Sequence, residues 1–253
     1  MSTPPADDAT APATAERWDQ FGAAYDLPEF EGTPRTWLMA STGRSGSHYL
    51  GHLLTETGAL GAPLEYLHPT HGKEWCRRLG VETFEEVLVH LYRHRTSPTG
   101  WWGTKAHWPQ FRRFAEQPAL LDALHFERYV QIRRRDVVAQ GISLAIARQT
   151  KAWISFQRSD VEPEYDAGKI RDAIATLERQ NALWDDYFAQ NGITPLRVEY
   201  EDLLADTVGT VNRVLEWFGV ERQPGAEPLV QPPQRQADQV NEDWKARFLS
   251  DGA

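Results

Sequence analysis

The chain has 253 residues, 41% of them hydrophobic and 25% charged, with a formal net charge of −9. That is the balance of a soluble globular protein long enough to bury a core without disulfides or a structural metal, and its acidity excludes a surface built to hold nucleic acid or anionic lipid. The one cysteine, Cys76, excludes an intramolecular disulfide and fits a reducing cytoplasm, and no apolar run approaches a membrane span.

Residues 1–15 include a Pro/Ala/Thr-rich acidic stretch without Lys or Arg, which reads as a disordered tail and not as a secretory leader. The rest, 16–253, reads as one folded domain. The apolar run Thr36–Ala40 predicts a strand that ends in the polar stretch Ser41–Ser47. A helix follows, with Tyr49, Leu50, Leu53 and Leu54 on one face and Gly58 as its stop. A second strand is predicted from Trp101 to Lys105, and a third over Tyr129–Ile132 with a helix over 136–148 behind it. A long amphipathic helix is expected over 168–190, a fourth strand over Pro195–Val198, and a helix over Val208–Phe218 stopped at Gly219. The Pro- and Gln-rich segment Pro224–Gln239 reads as a loop, and Glu242–Leu249 as a short helix. This alternation predicts an α/β fold with a central parallel sheet flanked by helices.

The segment Ser41-Thr42-Gly43-Arg44-Ser45-Gly46-Ser47 lies between a predicted strand and a predicted helix. Its glycines let the backbone turn its N–H groups inward, the helix start adds partial positive charge, and Arg44, Ser45 and Ser47 add donors. This is how a chain cradles a phosphate. An ordinary strand–helix turn with Ser47 as helix cap is the plainer alternative. The loop lacks the Gly-Lys-Ser/Thr of a nucleoside triphosphatase loop, so a kinase or other nucleotide-binding enzyme is the second reading. A second basic turn, Arg133-Arg134-Arg135-Asp136, closes the third strand, and Ser143 lies on the helix behind it. Ligands of open parallel sheets sit at the carboxyl ends of strands, so the two turns can share a cleft.

Ten tryptophans are present, most of them expected to be core. Trp101, Trp102, Trp108 and Trp153 are the candidates for stacking on a sugar. The pairs His48/His52 and His90/His94 have i, i+4 spacing, but no metal is expected, because neither Cys nor an H-E-x-x-H pattern accompanies them.

The motifs Ser41–Ser47, Pro63-Leu-Glu-Tyr66, Gly103-Thr-Lys-Ala-His-Trp108, Arg134–Ser143, Arg148–Trp153, Val198–Leu203 and Gln234–Asp238 with Trp244 run in order over about residues 36–249. Together they resemble the bacterial trehalose 2-sulfotransferase family. The resemblance implies a P-loop-kinase-like fold and a sulfo donor, 3′-phosphoadenosine-5′-phosphosulfate, which leaves as adenosine 3′,5′-bisphosphate. It assigns the 5′-phosphosulfate to Arg44, Ser45, Gly46, Ser47 and His48, with Thr42 and Gly43 in the same loop. It assigns the 3′-phosphate to Arg134 and Ser143, with Arg135 as the competitor and Arg235 closing over. The family loop usually carries Pro at position 43 and Thr at 48, where this chain has Gly43 and His48.

Transfer to a hydroxyl needs a general base. Glu65 matches the family's proposed catalytic glutamate. His107 lies in Lys105-Ala-His107-Trp-Pro109, which is similar to the stretch that carries the catalytic His of cytosolic sulfotransferases, and Lys105 is a point charge for the transferring group. The implied acceptor is trehalose, another sugar or a glycolipid, contacted from 67–100 and 153–168, where His71, Trp75, Arg77, Trp153 and Arg158 stand. The family can form dimers, so a homodimer is a further expectation.

Overall fold

The computed structural model describes residues 19–153, 159–226 and 239–252. The expected sheet is present. Four strands, β1 (Arg35–Ser41), β2 (Trp101–His107), β3 (Phe126–Arg133) and β4 (Leu196–Glu199), pair in the order β2-β1-β3-β4, all parallel. Between and after them run α1 (Ser47–Glu56), α2 (Pro69–Leu79), α3 (Phe84–Arg95), α4 (Trp108–Ala115), α5 (Pro118–Leu124), α6 (Val137–Thr150), α7 (Ala167–Gln190), α8 (Tyr200–Ala205), α9 (Thr207–Phe218) and α10 (Gln239–Ser250).

Parallel strands buried on both faces alternate their side chains between two cores. Trp37 and Met39 of β1 join Val130, Ile132 and Val198 in one core, closed by Leu50, Leu53 and Leu54 of α1 and Val211, Val214 and Phe218 of α9. Leu38 and Ala40 enter the opposite core with Trp102, Ala106 and Tyr129, closed by side chains of α2, α3, α4 and α7. Each fully buried Leu or Val in these layers contributes roughly 1.5–3 kcal/mol. Gly103 is required by the first core, because a Cβ there would stand 2.4 Å from the Trp37 indole. A third cluster joins Ile142 and Leu144 of α6, Ile170 and Leu177 of α7, and Trp244 and Phe248 of α10.

This alternation corrects two sugar-stacking candidates. Trp101 and Trp102 are neighbours on a strand, so one points into each core, and they are 1% and 0% exposed. Trp75 is likewise core, packed edge-on to Phe21 and next to Tyr66, not part of an acceptor surface. The region around it is two helices, α2 and α3. The α3 start carries a full capping box, in which Thr83 accepts from the Glu86 N–H and Glu86 caps back. The Pro224–Gln239 loop and Arg235 lie largely or wholly outside the described residues, as do the 1–15 tail and Arg158.

The order β2-β1-β3-β4 sets the site. From β1 the chain moves to one side to form β2, then crosses to the other side of β1 to form β3. The connections leaving β1 and β3 therefore diverge and leave a crevice at the carboxyl ends of these strands. The two basic turns open onto it.

Candidate active site

The loop after β1 is a turn with left-handed residues at Arg44 (φ 63°) and Gly46 (φ 86°). Such alternation turns successive N–H groups to one side, as in anion-binding nests. The helix that follows starts one residue earlier than a Ser47 cap would have it. Gly46 is the N-cap and supplies no side-chain hydrogen bond, so side chains leave the first-turn N–H groups uncapped. The glycine is also demanded sterically, because a Cβ at 46 would stand 2.3 Å from the Tyr200 ring. Ser45 Oγ is buried without a hydrogen-bond partner. A buried hydroxyl without a partner beside uncapped N–H groups fits an oxyanion.

The second turn meets the first. Arg44 Nε donates to Ser143 Oγ at 2.9 Å, and its Nη1 donates to the Trp153 carbonyl. Burial, then the nearby Arg134, lowers the Arg44 guanidinium to about 10, so it remains charged at neutral pH. Arg134 lies over the Tyr200 ring at 5.1 Å, and its Nε is buried without a partner. Arg135 is turned the other way: it pairs with Asp202 at 2.6 Å and is half exposed. Arg133 pairs with Asp185. Of the three arginines, the structure thus brings Arg134 beside Arg44. Neighbouring cations, with the buried Arg134 Nε–H unpartnered, fit a multiply charged anion.

Sequence reasoning did not single out Gln140. This fully buried residue of α6 donates from Nε2 to Thr42 Oγ1 (2.9 Å) and to the Gly43 carbonyl (2.7 Å), bracing the loop from behind. Its place on the helix between Arg134 and Ser143 was the available signal. Glu201 was missed for a similar reason; its carboxylate accepts from the Arg135 and Asp136 N–H groups and fixes the turn.

The three candidates for proton and charge handling converge. β1 and β2 pair in register, Met39 with Lys105 and Ser41 with His107. A one-residue bridge from Leu64 to Thr104 brings the segment before α2 alongside β2, and Lys105 N–H donates to the Leu64 carbonyl at 2.8 Å. Glu65 Oε1 then stands 2.9 Å from Lys105 Nζ, whose side chain is only 4% exposed. Glu65 Oε2 accepts from Gln110 Nε2 at 2.9 Å. Burial alone would raise the Glu65 carboxyl, but Lys105, His107 and the two hydrogen bonds hold it well below the usual carboxylate range. His107 Nδ1 lies 2.9 Å from Ser41 Oγ, whose hydroxyl donates to the Ala106 carbonyl at 3.1 Å. In the tautomer that carries its proton on Nδ1, His107 donates to Ser41 Oγ and presents Nε2 as an acceptor. Burial, against the pull of Glu65, lowers the His107 imidazole.

His48 belongs to the same neighbourhood. Burial, then Lys105 and His52, lowers it to about 2, so it is neutral, and its Nε2 lies 3.0 Å from that of His52. His71 Nδ1 lies 3.0 Å from the Glu65 carbonyl, whereas Arg77 is paired with Glu74 on the exposed face of α2. Among the remaining tryptophans, Trp108 packs edge-on to Trp184, and Trp153 is 46% exposed beside Arg44. Among the described residues no group of three or more His, Cys, Asp or Glu could hold a metal ion, and no helix is long and apolar enough to cross a membrane.

Fold and site together define a class: a parallel α/β protein whose first strand runs into a Gly/Ser/Arg loop and a helix start at the switch point of the sheet, with a carboxylate–lysine pair alongside. The sequence model of the Stf0 sulphotransferase family matches residues 36–251, and the chain belongs to that family of transferases. The kinase reading is accordingly not favoured. The chain is 28% identical to trehalose 2-sulfotransferase of Mycobacterium tuberculosis (strain ATCC 35801 / TMC 107 / Erdman) over 86% of its length and 95% of that protein. It is 27% identical to nodulation protein H of Rhizobium meliloti, over 74% of this chain and 78% of that one. Among solved structures, a sulfotransferase domain from the curacin biosynthetic pathway matches with a TM-score of 0.48 at 14% identity, over 83% of each chain.

Proposed function

We propose that the chain, as one sulfotransferase domain over 16–253, moves a sulfuryl group from 3′-phosphoadenosine-5′-phosphosulfate to a hydroxyl of a carbohydrate. The observation that carries this reading is the meeting of Arg44, Ser143 and Arg134 at the crevice between β1 and β3, beside the Glu65–Lys105 pair. A donor with phosphates at two ends needs two basic turns at a fixed separation, and bound there it supplies the sulfuryl group.

In this reading the Thr42–His48 loop holds the phosphosulfate end through its N–H groups and the Ser45 hydroxyl. Arg134 and Ser143 hold the 3′-phosphate, and Arg44 stands between the two ends. Arg235 is the residue proposed to close over the 3′-phosphate. Lys105 offsets negative charge that grows on the transferring group, and Glu65 takes the proton from the acceptor hydroxyl, with His107 Nε2 as the competing acceptor. Positioning and electrostatics carry most of the acceleration, as in phosphoryl transfer. The relatives named for trehalose sulfation favour a sugar or glycolipid acceptor. Trp153, exposed at the rim, is the tryptophan best placed to stack on it. A cytoplasmic homodimer completes the proposal.

The test is incubation with labelled donor and a panel of sugars and glycolipids. Labelled sugar is the expected product, with adenosine 3′,5′-bisphosphate binding the free protein. No transfer to any hydroxyl and no affinity for the bisphosphate would overturn the reading, as would ATP- and Mg²⁺-dependent phosphorylation of the same sugars.

A further inference from the structure

Gln110 lies in the first turn of α4 and is 7% exposed. Its side chain does two things at once. Oε1 accepts from the His107 N–H at 2.8 Å, the helix-start half of a capping box, and Nε2 donates to Glu65 Oε2 at 2.9 Å. The first contact fixes the amide's orientation, because only its oxygen can accept from a backbone N–H. The NH₂ end is then obliged to face Glu65. The other carboxylate oxygen is taken by Lys105, so Glu65 is gripped from both sides by groups anchored on β2 and its continuation into α4.

We propose that Gln110 is a positioning residue for the base: it locks the Glu65 carboxylate in one rotamer and keeps it anionic, and it ties that carboxylate to the strand end that carries His107. This rests on the reading of Glu65 above. Gln110 touches neither acceptor nor donor in this role. It acts through Glu65, by holding the lone pairs that Lys105 leaves unused in a fixed direction.

The charged and titratable groups that face Glu65 are Lys105 and His107 from β2, His48 from α1, and His68 and His71 from the start of α2. Lys105 is the one fixed cation among them. Loss of the Gln110 donor therefore leaves a single strong restraint on the carboxylate.

The substitution Gln110→Glu separates this role from helix capping. It keeps an oxygen to accept from the His107 N–H but sets a second carboxylate against Glu65. Two carboxylates in contact share a proton, so the Glu65 titration moves up. In the full-length protein with ¹³C-labelled glutamate, the Glu65 carboxyl midpoint should rise by at least ~1 pH unit in Gln110→Glu. Its kcat should fall about 10- to 100-fold, with donor KM nearly unchanged and an acid limb displaced to higher pH. The swap Gln110→Glu/Glu65→Gln restores the hydrogen bond but moves the anion, so it should recover thermal stability without recovering turnover.

A Gln110→Glu protein that folds and keeps both the wild-type carboxyl titration and the wild-type pH profile would overturn the proposal. So would recovery of turnover in the swap. The carboxyl titration reads the Gln110–Glu65 link even if no sulfated acceptor is found, so failure of the sulfuryl-transfer reading stays distinguishable from failure of this one.

Discussion

Arg44 Nε donates to Ser143 Oγ at 2.9 Å, fastening the turn after β1 to the second turn of α6. Gln140, one helical turn earlier, holds Thr42 and Gly43 of the same loop. One helix thereby sets the distance between the two basic turns before any ligand arrives, and such preorganisation avoids an ordering cost on binding.

Arg44→Ala removes the charge at the junction of the two turns. Charge-assisted hydrogen bonds are worth about 1.5–3 kcal/mol, so affinity for adenosine 3′,5′-bisphosphate should fall at least ~10-fold. Calorimetric titration of the variant against wild type measures this, and an unchanged affinity would refute the loop assignment.

Gly46→Ala tests the cradle itself. The added Cβ meets the Tyr200 ring at 2.3 Å, and the backbone is at φ 86°, where an L-side chain is strained. Overpacking of this kind costs about 1–3 kcal/mol. The melting temperature should drop and bisphosphate binding should disappear. Adding Tyr200→Ala relieves the clash but not the strained φ, so the double variant should regain only part of the stability. Full recovery would show that the backbone conformation does not matter.

The choice of base can be read from pH. Glu65 is held below its ordinary 4.5 by Lys105, His107 and its hydrogen bonds, overcoming burial. If Glu65 is the base, it stays ionised through the usual assay range, and its acid limb in kcat/KM lies below 4.5. His107 is lowered from 6.5 by burial, so a limb due to His107 lies below 6.5. Glu65→Gln should cut kcat by about 10²-fold or more and His107→Ala by less. Near-normal turnover in Glu65→Gln, with an acid limb that disappears in His107→Ala, would transfer the role to His107.

These features were unequally legible. The four strands and the phosphate loop could be read because apolar runs broken by Gly, Ser and Arg are local signals, and all four strands fall where the apolar runs are. The convergence of Glu65, Lys105 and His107 was expected only from resemblance. Its physical cause, the Leu64–Thr104 bridge, is a contact between segments 40 residues apart that no local pattern announces. Trp101 and Trp102 stayed open between core and cleft, and Trp75 lay in an expected acceptor region, because a tryptophan's composition signal is the same in a cleft and in a core. Strand alternation between two covered faces decides it. Gln110 and Gln140 were invisible because a glutamine's role depends on what its amide meets in space.

His48 gives a prediction about stability. Where the family loop usually has Thr, this chain places a partly buried imidazole beside Lys105 and His52, and its pKa falls to about 2, with burial the largest cause. In the unfolded chain the same ring takes a proton near 6.5. Between those values the unfolded state therefore binds more protons than the folded one, and folding stability declines as pH falls from 6.5 towards 2. His107 adds a decline of the same sign below 6.5, and Glu65 one below 4.5. His48→Thr removes one of these imidazole contributions. Its melting temperature should fall less between pH 7 and pH 4.5 than that of the wild type, even if it starts slightly lower. Scanning calorimetry at several pH values measures the two slopes. Equal slopes would mean that His48 takes up its proton in the folded state, and that the packing around Lys105 opens far enough in acid to let it do so.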